Sequence, residues 1–149
     1  MKLIALDIET TGLNPRTDRI HGIGFASDEA AGYLEVNDEK IKDYLANPEN
    51  HIVGHNIRFD LKFLICNGFD IKAQVWDTKL MAQLENENRG LGLKELSGQD
   101  YLEAKREIDR AVGQLGGRSV ADLCRADLDT PSRPYRDLIA KYCIEDCEN

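Results

Sequence analysis

Acidic side chains interrupt three apolar stretches of this 149-residue chain, at positions where the surrounding pattern predicts buried residues. Asp7 and Glu9 are two residues apart in a segment rich in Ile and Leu, so on a β-strand both side chains project from the same face. Asp60 lies on the apolar face of a predicted helix, and Asp146 continues the apolar face of the last predicted helix. Three separate elements therefore direct four carboxylates towards the interior.

Four carboxylates in the interior need a source of positive charge, and no Lys or Arg shares their apolar faces. Buried charges in proteins are paired or coordinate metal ions, and carboxylate oxygens suit hard divalent cations. A carboxylate cluster that holds two such ions about 3.5 to 4 Å apart can drive in-line displacement at phosphorus. The residue types therefore predict a two-metal phosphoryl centre formed by Asp7, Glu9, Asp60 and Asp146.

A purely structural interpretation of these acids stays open. Asp60 can be an acid in a first helical turn, where the helix dipole favours it, and Asp7 and Glu9 can simply end a strand. Asp146 is harder to explain in this way, because the dipole disfavours an acid near the C-terminus of a helix. Tyr142 precedes Asp146 by about one helical turn, which puts the two side chains on the same face about 5 to 6 Å apart at Cβ. Its hydroxyl can orient a water molecule at the centre, or it can belong to a core aromatic residue with a satisfied hydroxyl.

The elements that must position these residues follow from periodicity and turn signals. Strands are predicted over residues 2–9, 19–26, 31–36, 51–54 and 71–76. A helix is predicted after an N-cap at Asp38, a second over 57–67 with Gly68 as its stop, and a third from Asp77 and Thr78 to Glu85. Two or three short helices are predicted between 91 and 128, broken at Gly98, Gly113 and Gly116-Gly117. The last helix is predicted to start at Thr130, Pro131 or Ser132 and to run to the chain end. The apolar face of the helix over 57–67 is predicted to comprise Ile57, Leu61, Leu64 and Ile65. A three-strand antiparallel meander followed by alternating helices and strands indicates an α/β fold with a mixed sheet flanked by helices.

Length and composition narrow the class of protein. The chain has the length of one domain, and its 42% hydrophobic and 31% charged residues exclude a disordered or fibrous protein. No apolar run is long enough for a membrane span or a signal-peptide core, so a cytoplasmic protein with no membrane partner is expected. Four cysteines, at positions 66, 124, 143 and 147, lack the paired spacing of a zinc site and are predicted to be free, buried thiols.

The net charge of −8 argues against a broad, non-specific nucleic-acid surface, because such surfaces displace counterions with a basic face. It does not exclude a small metal-dependent site. Two bound divalent ions would bring the total to −4, which still predicts weak and local binding. Basic residues such as Arg58 and Lys62 could each meet a phosphate, although a solvated surface charge is the commoner role of any single one.

Three segments carry a resemblance to a known family: residues 7–13 (DIETTGL), 54–60 (GHNIRFD) and 142–146 (YCIED). In this order they resemble the DEDD superfamily of 3′-5′ exonucleases and, more narrowly, the proofreading exonuclease domain of family A DNA polymerases. The Tyr-x-x-x-Asp spacing of the third segment is similar to the tyrosine branch of that superfamily. Residues 77–81 and 92–96 add a further likeness. The resemblance implies a ribonuclease H-like fold with a mixed five-stranded sheet flanked by helices.

The resemblance also implies a role for each acid. Asp7, Glu9 and Asp146 would bind one divalent ion, and Asp7 would bridge to a second ion that Asp60 supports through water. The cofactors implied are thus two divalent metal ions, Mg²⁺ or Mn²⁺. Tyr142 and Glu9 would position the attacking hydroxide. The implied reaction removes nucleoside 5′-monophosphates from the 3′ end of single-stranded DNA.

Residues for the nucleic-acid strand follow from the same resemblance. Thr10 would contact the 3′-terminal nucleotide, and Leu13 would wedge between the last two bases. Asn56, together with Phe59 and His55, would line the path of the strand.

The chain departs from the family pattern in two places. It ends three residues after Asp146, where the last helix of the family continues. We therefore expect a single exonuclease domain over residues 1–149 whose natural chain continues, with a DNA polymerase domain as its partner in cis or in trans. Residues 97–133 match the family only loosely, so substrate preference could be altered there.

Two other functions remain open on the sequence alone. An RNA-trimming exonuclease of the ribonuclease D type shares the same carboxylates and tyrosine, although Thr-Thr-Gly-Leu after Glu9 favours DNA. A catalytically inactive exonuclease-fold module kept for partner binding would be expected to lose a carboxylate, and none is missing here.

Overall fold

Five strands form a mixed open sheet in the part of the chain that this computed structural model describes, residues 2–85 and 103–148. The strands are β1 (Lys2–Thr10), β2 (Ile20–Ala26), β3 (Ala31–Leu34), β4 (Asn50–Gly54) and β5 (Gln74–Asp77). Their order in the sheet is β3-β2-β1-β4-β5. The first three pair antiparallel as a meander, whereas β4 and β5 add in parallel on the other side of β1. The predicted mixed sheet is confirmed, with β1 at its centre.

Six helices flank the sheet within the same described ranges. They are α1 (Glu39–Ala46), α2 (Ile57–Cys66), α3 (Thr78–Glu85), α4 (Glu103–Leu115), α5 (Val120–Asp129) and α6 (Arg136–Glu148). The predicted cap of α1 is confirmed, because the Asp38 carboxylate accepts a hydrogen bond from Lys40 N at 2.8 Å. Asp77 acts in the same way at the start of α3, accepting from Lys79 N at 2.9 Å.

The two faces of β1 lead to two different layers. Ile4, Leu6 and Ile8 are buried on one face, in a core cluster that also contains residues of α1 and α2. Asp7 and Glu9 are on the other face, because successive side chains alternate across a strand. That face is covered by α6, whose Cys143 sulfur lies 3.6 Å from the Asp7 carbonyl oxygen.

The buried face of α2 differs from the predicted one. Ile57, Phe63 and Leu64 are buried, whereas Ile65 is 58% exposed. At about 100° per residue these buried positions centre on Asp60, which is itself only 4% exposed. Because both Phe63 and Ile65 are apolar, the spacing alone fits either side of the helix, and packing against the sheet decides.

The start of α6 also differs from the prediction, since the helix begins at Arg136 and not at residues 130–132. A turn occupies the intervening residues, with Arg133 in the left-handed region at a φ of 49°. The buried carboxylate of Asp127 accepts a hydrogen bond from Tyr135 N at 2.7 Å and so holds the chain at the helix entrance. Because this capping carboxylate belongs to the preceding helix, the sequence next to the start of α6 contains no signal for it.

The glycine predictions between α4 and α5 are partly confirmed. Gly113 lies inside α4 and does not break it. Gly116 has a φ of 76° and follows the last residue of that helix, as a helix-ending glycine does. Gly98 and the family likeness at residues 92–96 fall outside the described residues.

Three of the four cysteines, Cys124, Cys143 and Cys147, are free and buried as predicted. Cys66 is exposed, so the prediction is wrong there, because α2 ends at this residue on its solvent side. Across residues 2–85 and 103–148, no helix combines the length and apolar character that crossing a membrane requires.

Candidate active site

A cavity of about 480 Å³ opens between β1, β4 and α6. The strand β1 contributes Asp7 and Glu9, and α6 contributes Tyr142 and Asp146. The rest of the wall is formed by Ala5, Leu6, Ile8, Val53, Gly54, His55, Thr78, Cys147 and Glu148. The fold therefore brings four of the five predicted catalytic residues to one cavity, from a strand and a helix far apart in the chain.

One glycine on β2, Gly24, allows α6 to approach the sheet this closely. Gly24 pairs with Asp7 and Gly22 with Glu9 across the β1–β2 ladder. A methyl group on Gly24 would lie 2.5 Å from the Cys143 sulfur. Any larger residue at position 24 would push α6 away, and the acids of that helix and of β1 would separate.

The cavity is strongly acidic, and its carboxyl groups shift one another. Burial, and then the negative charge of Asp146, raises the pKa of Asp7 to about 7. The pKa of Glu9 is also raised well above its ordinary value, by burial first and then by the charges of Asp7 and Asp146. Since every charged group that shifts Glu9 is negative, the centre favours a bound cation.

Asp60 takes a different position from the other acids. It does not line the cavity, but lies buried on the first turn of α2. Burial raises the pKa of the Asp60 carboxyl, and the nearby charge of Asp7 raises it further. One of its carboxylate oxygens, Oδ2, is buried and has no hydrogen-bond partner in the part of the chain described. An orphaned carboxylate oxygen of this kind is costly unless a cation compensates it.

The donor set fits a divalent cation. Ligand atoms of Asp7, Glu9 and Cys143 all lie within 4.8 Å of one another. Asp146 faces the same cavity, so carboxylates from two elements are available to one ion. The carboxylates present thus suit the metal ions that the sequence predicted. The Cys143 sulfur, which the sequence did not predict as part of the site, lies beside them.

Tyr142 is half-buried and its hydroxyl hydrogen-bonds with Asp146. Burial, and then the charge of Asp146, raises the pKa of the phenol above its ordinary value. The hydroxyl therefore keeps its proton at neutral pH and can donate it in a hydrogen bond within the cavity.

The predicted strand-binding residues are divided between two places. His55 lines the main cavity, with Nδ1 at 3.0 Å from the Thr78 hydroxyl. Leu13, Asn56 and Phe59 line a neighbouring groove of about 290 Å³. The groove is completed by Pro15, Arg58, Lys62 and Phe63.

Thr10 lines neither the cavity nor the groove. It is 7% exposed, and its hydroxyl donates to the Gly12 carbonyl at 2.8 Å. That bond shapes the turn after β1, at whose tip Leu13 is 84% exposed. Arg125 of α5 holds the same turn by donating to the Thr11 carbonyl at 2.8 Å. The structure thus gives Thr10 a role in the turn, and its contact with a nucleotide stays a prediction.

Sequence reasoning missed four polar residues near the centre: Thr78, Cys143, Cys147 and Glu148. Thr78 lies in the 77–81 segment, so a signal for it was present. Cys143 and Cys147 follow Tyr142 and Asp146 by one residue each, and about 100° of helical turn directs them to the sheet. Only the placement of α6 on β1 and β2 shows that both sulfurs lie beside the carboxylates.

Comparisons with known proteins show the family and the fold of this chain. The model of the 3′-5′ exonuclease family matches residues 1–148. DNA polymerase I of Borreliella burgdorferi is 31% identical over 115 residues, covering 68% of this chain. The matched part spans only 12% of the length of that polymerase.

Solved structures share the fold. Brucella melitensis NrnC bound to pGG has a TM-score of 0.60 and 22% identity, covering 92% of this chain and 85% of the other. Brucella melitensis NrnC with bound Mg²⁺ has a TM-score of 0.56 and 24% identity over the same shares. The architecture is thus the ribonuclease H-like α/β fold of these nucleases. With the family match across residues 1–148, the chain belongs to the 3′-5′ exonuclease family and is similar to the exonuclease domain of family A DNA polymerases.

Proposed function

We propose that this protein is a metal-dependent 3′-5′ exonuclease of the proofreading type, acting on the 3′ end of single-stranded DNA with two divalent ions, Mg²⁺ or Mn²⁺. The observation that carries the proposal is the meeting of Asp7, Glu9, Tyr142 and Asp146 in one cavity, with the unpartnered Asp60 oxygen behind them. The buried, mutually repelling carboxylates have the chemistry of a two-cation centre.

The acids would divide between two cations. Asp7, Glu9 and Asp146 would hold the first, and Asp7 would share the second with Asp60. When bound, such ions lower the pKa of water and stabilise the charge that develops on the departing 3′ oxygen. The product is a nucleoside 5′-monophosphate.

The attacking water would be oriented by side chains of this cavity. Glu9 would accept a hydrogen bond from it. The Tyr142 hydroxyl, which hydrogen-bonds with Asp146 in this structure, would donate one to the water once Asp146 binds a cation, so that a lone pair points at phosphorus. Orientation of this kind accounts for a large share of catalysis, because the reacting atoms must meet along a narrow line of approach.

The neighbouring groove would hold the nucleotides just upstream. Leu13 and Phe59 offer apolar surface to unpaired bases, and stacking on aromatic side chains tolerates every base. Arg58 and Lys62, at i and i+4 on α2, are exposed beside that surface and can meet phosphates. His55, in the main cavity, would contact the terminal nucleotide.

A ladder assay tests the proposal. A 5′-labelled single strand of DNA with Mg²⁺ or Mn²⁺ should shorten one nucleotide at a time from its 3′ end, and chelation with EDTA should stop the reaction. Asp7→Asn should abolish shortening, whereas the matched control Asp70→Asn, at an exposed carboxylate that pairs with Lys72, should keep it. Shortening that persists in Asp7→Asn, or no shortening by the wild-type protein, overturns the proposal.

RNA is the second candidate substrate. Its support is that NrnC, which shares the fold, was solved with the dinucleotide pGG bound. The same assay on an RNA strand of identical sequence, run in parallel, decides between the two. A higher kcat/KM on RNA than on DNA would show that RNA is the preferred substrate.

The natural partner of this domain would be a DNA polymerase domain, in cis or in trans. The similarity to DNA polymerase I of Borreliella burgdorferi supports this proposal. The net charge of −8 supports this proposal too, because a protein of that charge binds a long nucleic-acid strand weakly. A tethered polymerase domain would supply the additional affinity. Strand shortening that a polymerase domain accelerates at low substrate concentration is the expected result.

A further inference from the structure

We propose that Asp7, Glu9 and Cys143 also form a binding site for a thiophilic divalent cation, Zn²⁺ or Cd²⁺, which competes with the Mg²⁺ or Mn²⁺ of the centre. The expected consequence, inhibition by traces of zinc, rests on the proposed exonuclease function. The binding itself does not, because it can be measured without substrate.

The distances suit one ion between sulfur and oxygen. Cys143 Sγ lies 3.7 Å from Asp7 Oδ2. One ligand atom from each of Asp7, Glu9 and Cys143 lies within 4.8 Å of the other two. In a tetrahedral site, with zinc to sulfur about 2.3 Å and zinc to oxygen about 2.1 Å, the sulfur and oxygen atoms are about 3.6 Å apart. The two side chains are therefore already at the separation that a shared ion requires.

The surroundings also point to a cation. Asp60 is 4% exposed, and its Oδ2 has no hydrogen-bond partner among the described residues. The charge of Asp60 raises the pKa of Glu9, and the charge of Asp7 raises that of Asp60, in each case after burial has raised it. A second sulfur is close by, since Cys147 hydrogen-bonds with Cys143 and lines the cavity. The proposed site is thus a mixed set of carboxylates and a thiol, open to the cavity through Asp7 and Glu9.

The sulfur ligand separates two classes of metal. Carboxylate oxygens suit Mg²⁺ and Mn²⁺, whereas thiolate favours softer ions, and zinc exceeds manganese in general affinity for such sites. Binding releases the Cys143 thiol proton to solvent and forms a metal–sulfur bond, with no change of oxidation state. Mg²⁺ gains nothing from Cys143, so the same carboxylates would bind zinc or cadmium more tightly.

Cadmium absorbance tests the binding directly. The protein is kept reduced with a phosphine, because a dithiol reductant would compete for the metal. Added Cd²⁺ should then produce the ultraviolet charge-transfer band of a cadmium–thiolate bond. The matched control Cys66→Ser, at an exposed cysteine outside the cavity, should give the same band. Cys143→Ser should weaken Cd²⁺ binding by more than the roughly 10- to 100-fold that loss of an outer-shell partner costs.

Competition keeps the test independent of any folding defect in a cysteine variant. In the wild-type protein, saturating Mn²⁺ should reduce the cadmium–thiolate band, because both ions need Asp7 and Glu9. A band that Mn²⁺ does not change, or one that Cys143→Ser retains at full strength, overturns the proposal. The variant Cys143→Ala repeats the measurement if the serine variant is unfolded by circular dichroism.

The inhibition is measured separately. The ratio of strand shortening with and without trace Zn²⁺, at fixed Mg²⁺, should be lower for the wild-type protein than for Cys143→Ser. If the protein shortens no strand at all, the exonuclease proposal fails while the absorbance result still decides the cation site. If shortening is normal and the band is absent, the cation site fails alone.

Discussion

Tyr142 shows how a single residue changes its chemistry in the folded state. Its half-buried phenol lies beside the carboxylates of Asp146, Glu9 and Asp7, whose charges add to the effect of desolvation and raise its pKa. An ionised tyrosine would add one more negative charge to an already acidic cavity, so the hydroxyl stays a donor. The same electrostatics that favour a cation therefore fix the protonation state of the residue beside it.

Tyr142→Phe removes the hydroxyl and keeps the ring. We expect kcat for strand shortening to fall on the order of 10²-fold, because the attacking water is no longer oriented by the phenol. The expected KM and thermal stability change little, since the ring still packs against α4–α6 residues. Steady-state kinetics on labelled DNA measure the split, with Tyr135→Phe as the control at the entrance of α6. A higher KM with unchanged kcat would contradict the role.

The helix α6 is the element on which the site depends most. Gly24 lets it approach β2, and Asp127 of α5 fixes its entrance. The Asp127 carboxylate is fully buried and accepts from His21 Nε2 and from Arg133 Nε, both at 2.7 Å. Burial by itself would raise the pKa of Asp127. The hydrogen bonds from Arg133, His21 and the Tyr135 backbone outweigh burial and hold that pKa below its ordinary value. The carboxylate is therefore ionised and ties β2, α5 and the start of α6 together.

Asp127→Ala leaves Arg133 and His21 without their acceptor in the interior. We expect a loss of about 3 to 5 kcal/mol in the free energy of unfolding, the usual cost of removing one partner from a buried charged network. Asp129→Ala is the matched control on the same helix, because its pair with Arg19 is exposed and worth about 0 to 1 kcal/mol. Urea unfolding followed by circular dichroism measures both. Equal losses in the two variants would show that Asp127 does not anchor α6.

At the scale of the whole molecule, charge is distributed unevenly between the interior and the groove. The net charge is −8, and five acidic groups lie at one cavity: Asp7, Glu9, Asp146 and Glu148 line it, and Asp60 is buried close to Asp7. Positive groups suited to a strand lie outside, at Arg58 and Lys62 beside the neighbouring groove. On the proposed function, the acidic interior would bind cations, and these two basic residues would form a small rim that binds phosphates.

Divalent ions should stabilise the fold most at alkaline pH. A carboxyl whose pKa is higher in the folded state binds its proton more tightly there, so stability falls as the pH rises from the ordinary 3.8 of Asp7 to about 7. Mn²⁺ at about 100 times its Kd would restore about 2.7 kcal/mol, or about 5 to 10 °C in Tm. Thermal unfolding at about pH 5 and about pH 8, with EDTA or Mn²⁺, measures this, and the Mn²⁺ effect should be larger at the higher pH.

Asp7→Asn is the comparison that isolates this pH effect from other titrating groups such as His21. In EDTA the variant should gain stability over the wild-type protein as the pH rises through the same window. A wild-type Tm that Mn²⁺ leaves unchanged at the higher pH, or a stability gap that does not widen with pH, contradicts the electrostatic account.

The rim predicts a measurable salt dependence. Arg58→Gln combined with Lys62→Gln should raise KM for a single strand. The slope of the logarithm of the binding constant against the logarithm of the salt concentration should become shallower by about 0.7 for each phosphate that the variant no longer neutralises. Lys72→Gln is the control, since Lys72 pairs with Asp70 and lines neither the cavity nor the groove. Binding titrations of a metal-free protein over a range of salt provide the slopes, and an unchanged slope in the double variant would remove both residues from the strand path.

Local signals in the sequence were sufficient for the framework of the site. Asp7 and Glu9 share a face because strand side chains alternate, and Asp60 and Asp146 break apolar faces because helices repeat about every 3.6 residues. The meander follows from the same periodicities and from the turn signals, and the order of strands and helices indicated a mixed sheet. The fifth strand lies at Gln74–Asp77, later than the predicted residues 71–76. These inferences needed only neighbours along the chain.

Long-range packing decided what the sequence left open. Phe63 and Ile65 fit α2 equally by spacing, and only the sheet selects Phe63. The start of α6 is set by Asp127 from another helix, and Cys143 reaches Asp7 because Gly24 leaves room between them. The sequence by itself determined which residue types could bind cations and on which faces they lie. The tertiary structure alone decided that one cysteine joins them, because a distance between residues 136 positions apart depends on how the helix packs on the sheet.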